Sequence, residues 1–339
     1  AVGILDGAST PTQTDVVTNP GTDFIIFTDD AQSALYMADG TGKLISNPLS
    51  SKPPLSRASV TDDGSGIIFV GKDKKIHYII IDWAQNKITE TGVLQSDPIW
   101  RNAVISKDGN RVAAIKDIKE NKIHVFDYTI GQSGEWRVFD LYNPTYSTGK
   151  ITGAVDYADA MEFDHTSQEI MYDAQSTIRN SSGVDIVYWD ISFLRVFDGE
   201  RATWADGKIA KLFSQLPEKT SVGNATFSKN SPHIIAMDML IEGATASQTT
   251  YLLLGGNTET GTLDTIFVNG QLCFPNFSTA DDRVLFNANT NSNTKVLGQI
   301  KVDKSKISPV GFATALVQNA KLGVWFANGE RTITTSAKD

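Results

Sequence analysis

A block of two short apolar segments joined by a four-residue turn recurs along the chain. The clearest copy spans residues 58–70 around the turn 61–64, and a second spans residues 103–115 around the turn 106–109. Weaker copies follow, and the fourth turn residue falls at positions 21, 64, 109, 167, 231, 281 and 321. Intervals of 40 to 64 residues are typical of the blades of a β-propeller, whereas helical repeats would show a 3.6-residue periodicity.

The residues within each copy predict the strands of a blade. Ala58 and Val60 alternate with a polar residue, which places both on one face of a first strand. The second segment, residues 67–70, is apolar throughout, which predicts a strand that is covered on both faces. A β-branched and aromatic segment, such as residues 122–127, and a more polar outer segment follow. The sequence therefore predicts an all-β fold of four-stranded antiparallel blades.

Seven copies predict a seven-bladed β-propeller that occupies residues 1–339 as a single domain. The last copy has room for three strands, at residues 315–317, 324–327 and 331–335. We expect residues 2–5 to supply the fourth strand and to close the ring, because an open ring would expose a sheet edge. Six blades remain the alternative if the first or the last copy is a coincidence.

The motif apolar-x-apolar-Ser-x-Asp-Gly-x-x-apolar, followed by a strand that ends in aromatic-Asp, is best preserved at residues 103–115 and 124–128. It resembles the TolB-type, WD-like repeat of β-propellers. The resemblance covers almost the whole chain, although Asp-Gly is replaced by Thr-Ser, Asn-Ser and Ala-Asp in three copies. It implies the fold but not the activity, because one fold hosts many functions.

Composition narrows the classes of partner. The net charge of −9 and the lack of a Lys/Arg run argue against nucleic acid as a partner. No apolar stretch approaches the length that a membrane span requires. Cys273 is the only cysteine, which excludes an intrachain disulfide. The richness in Asn, Ser and Thr favours an exported bacterial protein, in the periplasm, at the cell surface or outside the cell, and we expect a monomer.

The chain lacks recognisable catalytic, metal or cofactor motifs. It contains no Gly-x-Ser-x-Gly sequence and no phosphate-binding glycine loop. His77 and His124 occupy equivalent positions in successive copies, so a ring places them apart, and His165 and His233 lie in or near turns. We therefore predict no catalytic residue, no metal ligand and no cofactor.

The segments before each inner strand should line the mouth of the central channel, and there the copies differ. The candidate ligand-binding residues are Arg57, Trp100, Arg101, Tyr157 and Asp159. Cationic, aromatic and carboxylate groups together suit contact with a protein or a glycan, since Trp, Tyr and Arg dominate binding hot spots. The alternative is structural: Trp100 and Tyr157 would wedge between blades, and Arg101 would pair with a neighbouring Asp.

We therefore predict a non-enzymatic binding or scaffold propeller that contacts a protein or glycan at the channel mouth. The alternative is a carbohydrate-active hydrolase or lyase that uses mouth carboxylates. Asp97 and Asp159 are the pair that the sequence offers for acid/base chemistry, provided that the fold brings them together.

Overall fold

The computed structural model describes residues 14–17, 22–45, 48–128, 135–144, 146–147, 150–151, 153–179, 182–290, 293–329 and 332–335. These residues form six antiparallel blades around a central channel. In each blade the first strand lies along the channel and the later strands lie progressively outside it. The all-β propeller is thereby confirmed: five blades have four strands each, and blade 1 has three among the described residues.

The strand bounds, from inside to outside, are as follows. Blade 1 contains Ala320–Ala327, Asp23–Asp29 and Leu35–Asp39; blade 2 contains Ser59–Val60, Gly66–Val70, Ile76–Asp82 and Lys87–Gln95; blade 3 contains Trp100–Ile105, Arg111–Lys116, Lys122–Asp127 and Glu135–Asp140. Blade 4 contains Gly153–Phe163, Glu169–Arg179, Asp185–Arg195 and Ile209–Lys211; blade 5 contains Thr220–Phe227, Ile234–Ile241, Thr250–Asn257 and Thr262–Asn269; blade 6 contains Asn276–Phe277, Arg283–Asn289, Lys295–Val302 and Pro309–Gln318.

Smaller elements accompany the blades. Three two-stranded ribbons pair Thr14–Val17 with Thr332–Thr335, Tyr146–Ser147 with Lys150–Ile151, and Phe197–Asp198 with Thr203–Trp204. A single turn of 3₁₀ helix, Ala246–Gln248, is the only helix in the described ranges. No helix in these ranges is long and apolar enough to cross a membrane.

The prediction of seven blades is wrong, and the alternative of six is confirmed. Ala320–Ala327 pairs antiparallel with Asp23–Asp29, so that Phe326 faces Phe24 across the two strands. The first and last copies of the repeat are therefore two parts of one blade, because the ring closes by joining strands from both ends of the chain. Residues 315–317, expected to begin a seventh blade, belong to the outer strand of blade 6. The expected closing strand at residues 2–5 and the extent of the single domain involve residues outside the described ranges.

Apolar side chains fill each of the six interfaces between neighbouring blades. In blade 2, Ile67 and Phe69 pack toward blade 1, whereas Ile68 and Val70 pack toward blade 3. The second strand is thus buried on both faces, as its unbroken apolar sequence predicts. Since every blade needs two neighbours to cover it, the ring is stable only when it is closed.

The turns between first and second strands keep their geometry in two of the three copies where Asp-Gly is replaced, whereas Ser231 of the third has no left-handed φ. Gly64 and Gly109 have φ values of 72° and 76°, and Ser167 and Asp281 occupy the same left-handed region at 60° and 57°. In the first of these turns, Asp63 Oδ1 accepts hydrogen bonds from Thr61 Oγ1 at 2.6 Å and from the Ser65 N–H at 3.0 Å. Side-chain hydrogen bonds of this kind stabilise a turn locally.

Candidate binding site at the channel mouth

A cavity of about 270 Å³ follows the axis of the ring, and all six blades contribute to its wall. The inner strands begin at one end of the channel, which we call the mouth, and finish at the other end, which we call the floor. Arg57, Arg101 and Asp159 line the cavity near the mouth, and Lys107 and Lys229 line it near the floor. Three of the five predicted binding residues therefore meet in one cavity.

Irregularities in the inner strands bring side chains toward the channel. The pairing register shifts between Ala158 and Met161 in blade 4 and between Gly223 and Thr226 in blade 5. Asn224, Phe274 and Leu322 adopt left-handed φ values of 51°, 49° and 56° at corresponding places in blades 5, 6 and 1. Such bulges are common next to functional sites because they redirect side chains.

A polar residue of the preceding blade holds each of these left-handed residues. The N–H of Asn224 donates to Asp173 Oδ2 at 2.6 Å, and that of Phe274 donates to Asp238 Oδ2 at 3.0 Å. The N–H of Leu322 donates to Asn287 Oδ1 at 2.9 Å.

The sequence reasoning missed these three acceptors, although a signal was present. Asp173, Asp238 and Asn287 each stand fifth in their second strand, where blades 1, 2 and 3 carry an apolar residue. A polar side chain in a strand buried on both faces needs a partner, so its position points to a neighbouring blade.

Arg57 reaches across the channel from blade 2 to blade 6. Its Nη1 donates to the carbonyl oxygens of Phe274 at 3.4 Å and Pro275 at 2.9 Å. Burial lowers the pKa of the Arg57 guanidinium, whereas the charges of Glu162, Asp238 and Asp173 oppose that shift. The Arg57 guanidinium is therefore a positive charge in the channel that several carboxylates stabilise.

Arg101 is held by three contacts with blade 4. Its Nη2 donates to the carbonyl oxygen of Ala158, its Nε lies 3.3 Å from Asp159 Oδ1, and its guanidinium carbon lies 5.0 Å from the centre of the Tyr157 ring. Lys119 Nζ lies 5.0 Å from the same ring. A cation positioned over an aromatic ring is attracted by its face. The Tyr157 ring thus makes a cation–π contact with the Arg101 guanidinium.

Trp100 lies away from the channel. It is 2% exposed and belongs to the apolar cluster between blades 2 and 3. Its ring makes edge contacts with His124 and Phe126, with ring centres 5.6 Å and 5.7 Å apart. The geometry fits the structural interpretation of Trp100, and the pairing of Arg101 with Asp159 fits that interpretation as well.

Three carboxyl groups at the mouth have raised pKa values. Burial raises the pKa of Asp159, although Arg101 opposes the shift, and burial also raises the pKa of Asp238. Burial, with the nearby charge of Asp159, raises the pKa of Asp173 to about 7. Asp97, the other sequence candidate for acid/base chemistry, is exposed and is not among the residues that line the cavity.

An ion pair lies at the floor of the channel. Lys107 Nζ lies 2.7 Å from Glu162 Oε1, and the N–H of Phe227 donates to Glu162 Oε2 at 3.2 Å. Burial alone would raise the pKa of Glu162, but the charges of Lys107 and Lys229 outweigh it and lower the pKa to about 2. Glu162 is therefore a structural anion whose two oxygens already accept hydrogen bonds.

Two histidines pair with acids near the mouth face. His77 Nε2 lies 2.9 Å from Asp73 Oδ1, and His124 Nε2 lies 2.8 Å from Glu120 Oε1. Across the residues that the structure describes, no group of three or more His, Cys, Asp or Glu is arranged to hold a metal ion.

No protein-family model matches the chain, and no curated protein matches it in sequence. TolB from Acinetobacter baumannii is similar in structure, with a TM-score of 0.57 and 15% identity over 90% of this chain and 66% of that chain. The fold is that of a TolB-like β-propeller. A TolB candidate from Agrobacterium tumefaciens has a TM-score of 0.50 and 11% identity over 89% of this chain and 90% of that chain.

The TolB-like, WD-like resemblance is thus confirmed for the fold. At these identities the likeness concerns architecture alone. The chain also spans slightly less than two thirds of the length of the Acinetobacter TolB. The likeness does not identify a ligand.

Proposed function

We propose that this TolB-like propeller is a non-enzymatic binding module, exported by a bacterium, that contacts a partner protein or a glycan at the channel mouth as a monomer of one domain. The observation that carries the proposal is the fixed guanidinium of Arg101. It is 23% exposed at its side chain and is held by Ala158, Asp159 and the Tyr157 ring. A preorganised cation at an open mouth binds an anionic or carbonyl group with little loss of side-chain entropy.

Asp159 complements Arg101 at the same rim. Its side chain is 50% exposed and lies 3.3 Å from Arg101 Nε. A partner that offers both a donor and an acceptor would therefore meet Asp159 and Arg101 side by side. Paired contacts of this kind fix the orientation of a ligand.

The proposal is tested with defined arrays of peptides and glycans probed with the purified protein. We expect the Arg101→Glu variant to lose about tenfold or more in affinity for the ligands of the wild type, because it replaces the held cation with an anion. Arg201→Glu is the matched control, since Arg201 is 81% exposed on a distal ribbon. If the Arg101→Glu variant binds the same ligands as tightly as the wild type does, the channel mouth is not the binding site.

The alternative is a carbohydrate-active hydrolase or lyase, and one observation favours it. The Asp159 side chain is half exposed at the mouth, and its raised pKa favours the protonated form that a general acid needs. Cleavage of an array glycan that Asp159→Asn abolishes would establish this alternative and overturn the non-enzymatic role.

A further inference from the structure

Two cavities adjoin each other on the mouth face, beside the channel. One of about 330 Å³ lies over blades 4 and 5, and the other, of about 400 Å³, extends over blades 5, 6 and 1. They share three half-buried residues, Leu240, Leu272 and Phe274. We call the two cavities together the mouth-face groove.

One end of the mouth-face groove is acidic. Asp159, Asp173, Asp238 and Glu242 line it, together with Trp189, and its lining contains no Lys or Arg among the described residues. Burial raises the pKa of each of the three aspartates. Asp173 and Asp238 accept backbone N–H groups, whereas the side chains of Asp159 and Glu242 are exposed enough to contact a cationic ligand. An indole beside them suits an ammonium or guanidinium group.

The other end carries two lysines and one aspartate. Lys295 Nζ donates to Gln271 Oε1 at 3.0 Å, and Lys321 Nζ lies 3.6 Å from Asp30 Oδ1, whose side chain is 52% exposed. An ammonium group has three donors. Each lysine can therefore donate to a further carboxylate while it keeps the contact described.

The middle of the groove is apolar and fixed. Phe274 has a φ of 49°, which is unfavourable for a bulky side chain, yet Asp238 binds its N–H and Arg57 binds its carbonyl oxygen. Backbone strain that the surroundings maintain is a feature of ligand sites. Leu240 and Leu272 line both cavities together with Phe274.

We propose that the mouth-face groove binds an extended peptide segment of a partner protein, with a Lys or Arg side chain at the acidic end, an apolar side chain over Phe274 and a carboxylate at the basic end. Charge complementarity selects this occupant. A neutral glycan would leave both ends unpaired, and a polyanionic glycan would be repelled at the acidic end. The proposal stands whether or not the channel itself takes a ligand.

The probes are acetylated and amidated peptides in which serine spacers of varied length separate Lys, Leu and Asp. Each is matched by a peptide in which Gln and Asn replace the charged residues, and binding is followed by calorimetric titration. We expect at least one spacer length to bind about tenfold or more tightly than its neutral match. We also expect this difference to shrink at high salt, because partly exposed charges are screened. Equal binding of charged and neutral peptides at every length would overturn the proposal.

A charge-reversal variant tests the placement of the two ends. Glu242 is exposed at the acidic end, so Glu242→Lys should weaken the Lys-Leu-Asp peptide about tenfold and strengthen a peptide with Asp at both ends. Glu259→Lys is the matched control, because Glu259 is exposed in a turn on the floor side of blade 5. An unchanged preference in Glu242→Lys, or displacement of the peptide by polygalacturonate, would overturn the proposal.

The channel-mouth proposal and the groove proposal fail separately. If Arg101→Glu leaves array ligands unaffected while Glu242→Lys changes the peptide preference, only the channel-mouth proposal is lost. If the charged peptides bind no better than neutral ones while Arg101→Glu abolishes array binding, only the groove is lost. Unchanged thermal unfolding of both variants is the control for folding.

Discussion

Glu162 and Asp173 are buried carboxylates on neighbouring strands of blade 4, but the protein stabilises their charges by different means. Glu162 has the ammonium group of Lys107 at 2.7 Å, and its pKa falls to about 2 despite burial. Asp173 accepts backbone N–H groups of Ala160 and Asn224 at 2.7 Å and 2.6 Å, yet burial raises its pKa to about 7.

The difference follows from burial and from the neighbouring charges, because Glu162 faces Lys107 and Lys229, whereas Asp173 faces the carboxylates Asp159 and Asp238. A full positive charge offsets the loss of hydration of a carboxylate, whereas peptide dipoles offset only part of it. Near the floor of the channel, Glu162 is thus neutralised by an ion pair, whereas Asp173, nearer the mouth, is held by backbone hydrogen bonds.

The largest expected effect comes from removing the counter-ion of Glu162. We expect Lys107→Met to lower the free energy of unfolding by about 3 kcal/mol, because it leaves a buried carboxylate without its principal partner. Urea denaturation at neutral pH measures this change. The double variant Lys107→Met, Glu162→Gln should recover most of the loss. A single variant as stable as the wild type would contradict the role assigned to the ion pair.

A distinct pH dependence of stability is expected for Asp173. Its folded pKa lies above the unfolded value of 3.8, so the folded state binds a proton more tightly, and its contribution to stability is lost as pH rises from about 4 to about 7. The slope from one such group is at most about 1.4 kcal/mol per pH unit. Asp173→Asn should reduce this slope, although Asp159 and Asp238, with pKa values shifted in the same direction, retain part of it.

Glu162 provides the internal comparison for that measurement. Its folded pKa of about 2 lies below the ordinary value of 4.5, so its contribution is present above pH 4.5 and is lost as pH falls toward 2. Glu162→Gln should flatten the acid side of the stability profile and leave the slope between pH 4 and 7 in place. If Asp173→Asn changed the acid side instead, the assignment of the two carboxyls would be wrong.

The sequence predicted the blades well because their periodicity is local. Alternation in residues such as Ala58 and Val60 and the unbroken apolar run in Gly66–Val70 directly reflect burial on one face or on two. The number of blades was miscounted because closure is not local. The strand pairing in the structure, for example of Phe24 with Phe326, shows that two distant copies form a single blade.

The candidate site was predicted in part, for a similar reason. Arg57 and Arg101 stand at or just before the starts of inner strands, and Asp159 stands midway along the long inner strand of blade 4, where all three line the cavity. Trp100 stands at such a start as well, but a register shift between Trp100 and Asn102 separates it from the channel. Bulges depend on contacts between blades, so the sequence of one blade does not reveal which residues they redirect.

The smallest expected effect concerns a third carboxylate of blade 4, which is paired but exposed. Arg179 binds Asp185 through two hydrogen bonds of 2.8 Å and 3.1 Å, and the two side chains are 65% and 51% exposed. Water hydrates both charges without the pair, so we expect Arg179→Gln to leave the urea midpoint unchanged within error. If Arg179→Gln destabilised the protein as much as Lys107→Met does, pairing and not burial would determine these energies. The contrast drawn between Glu162 and Asp173 would then need another cause.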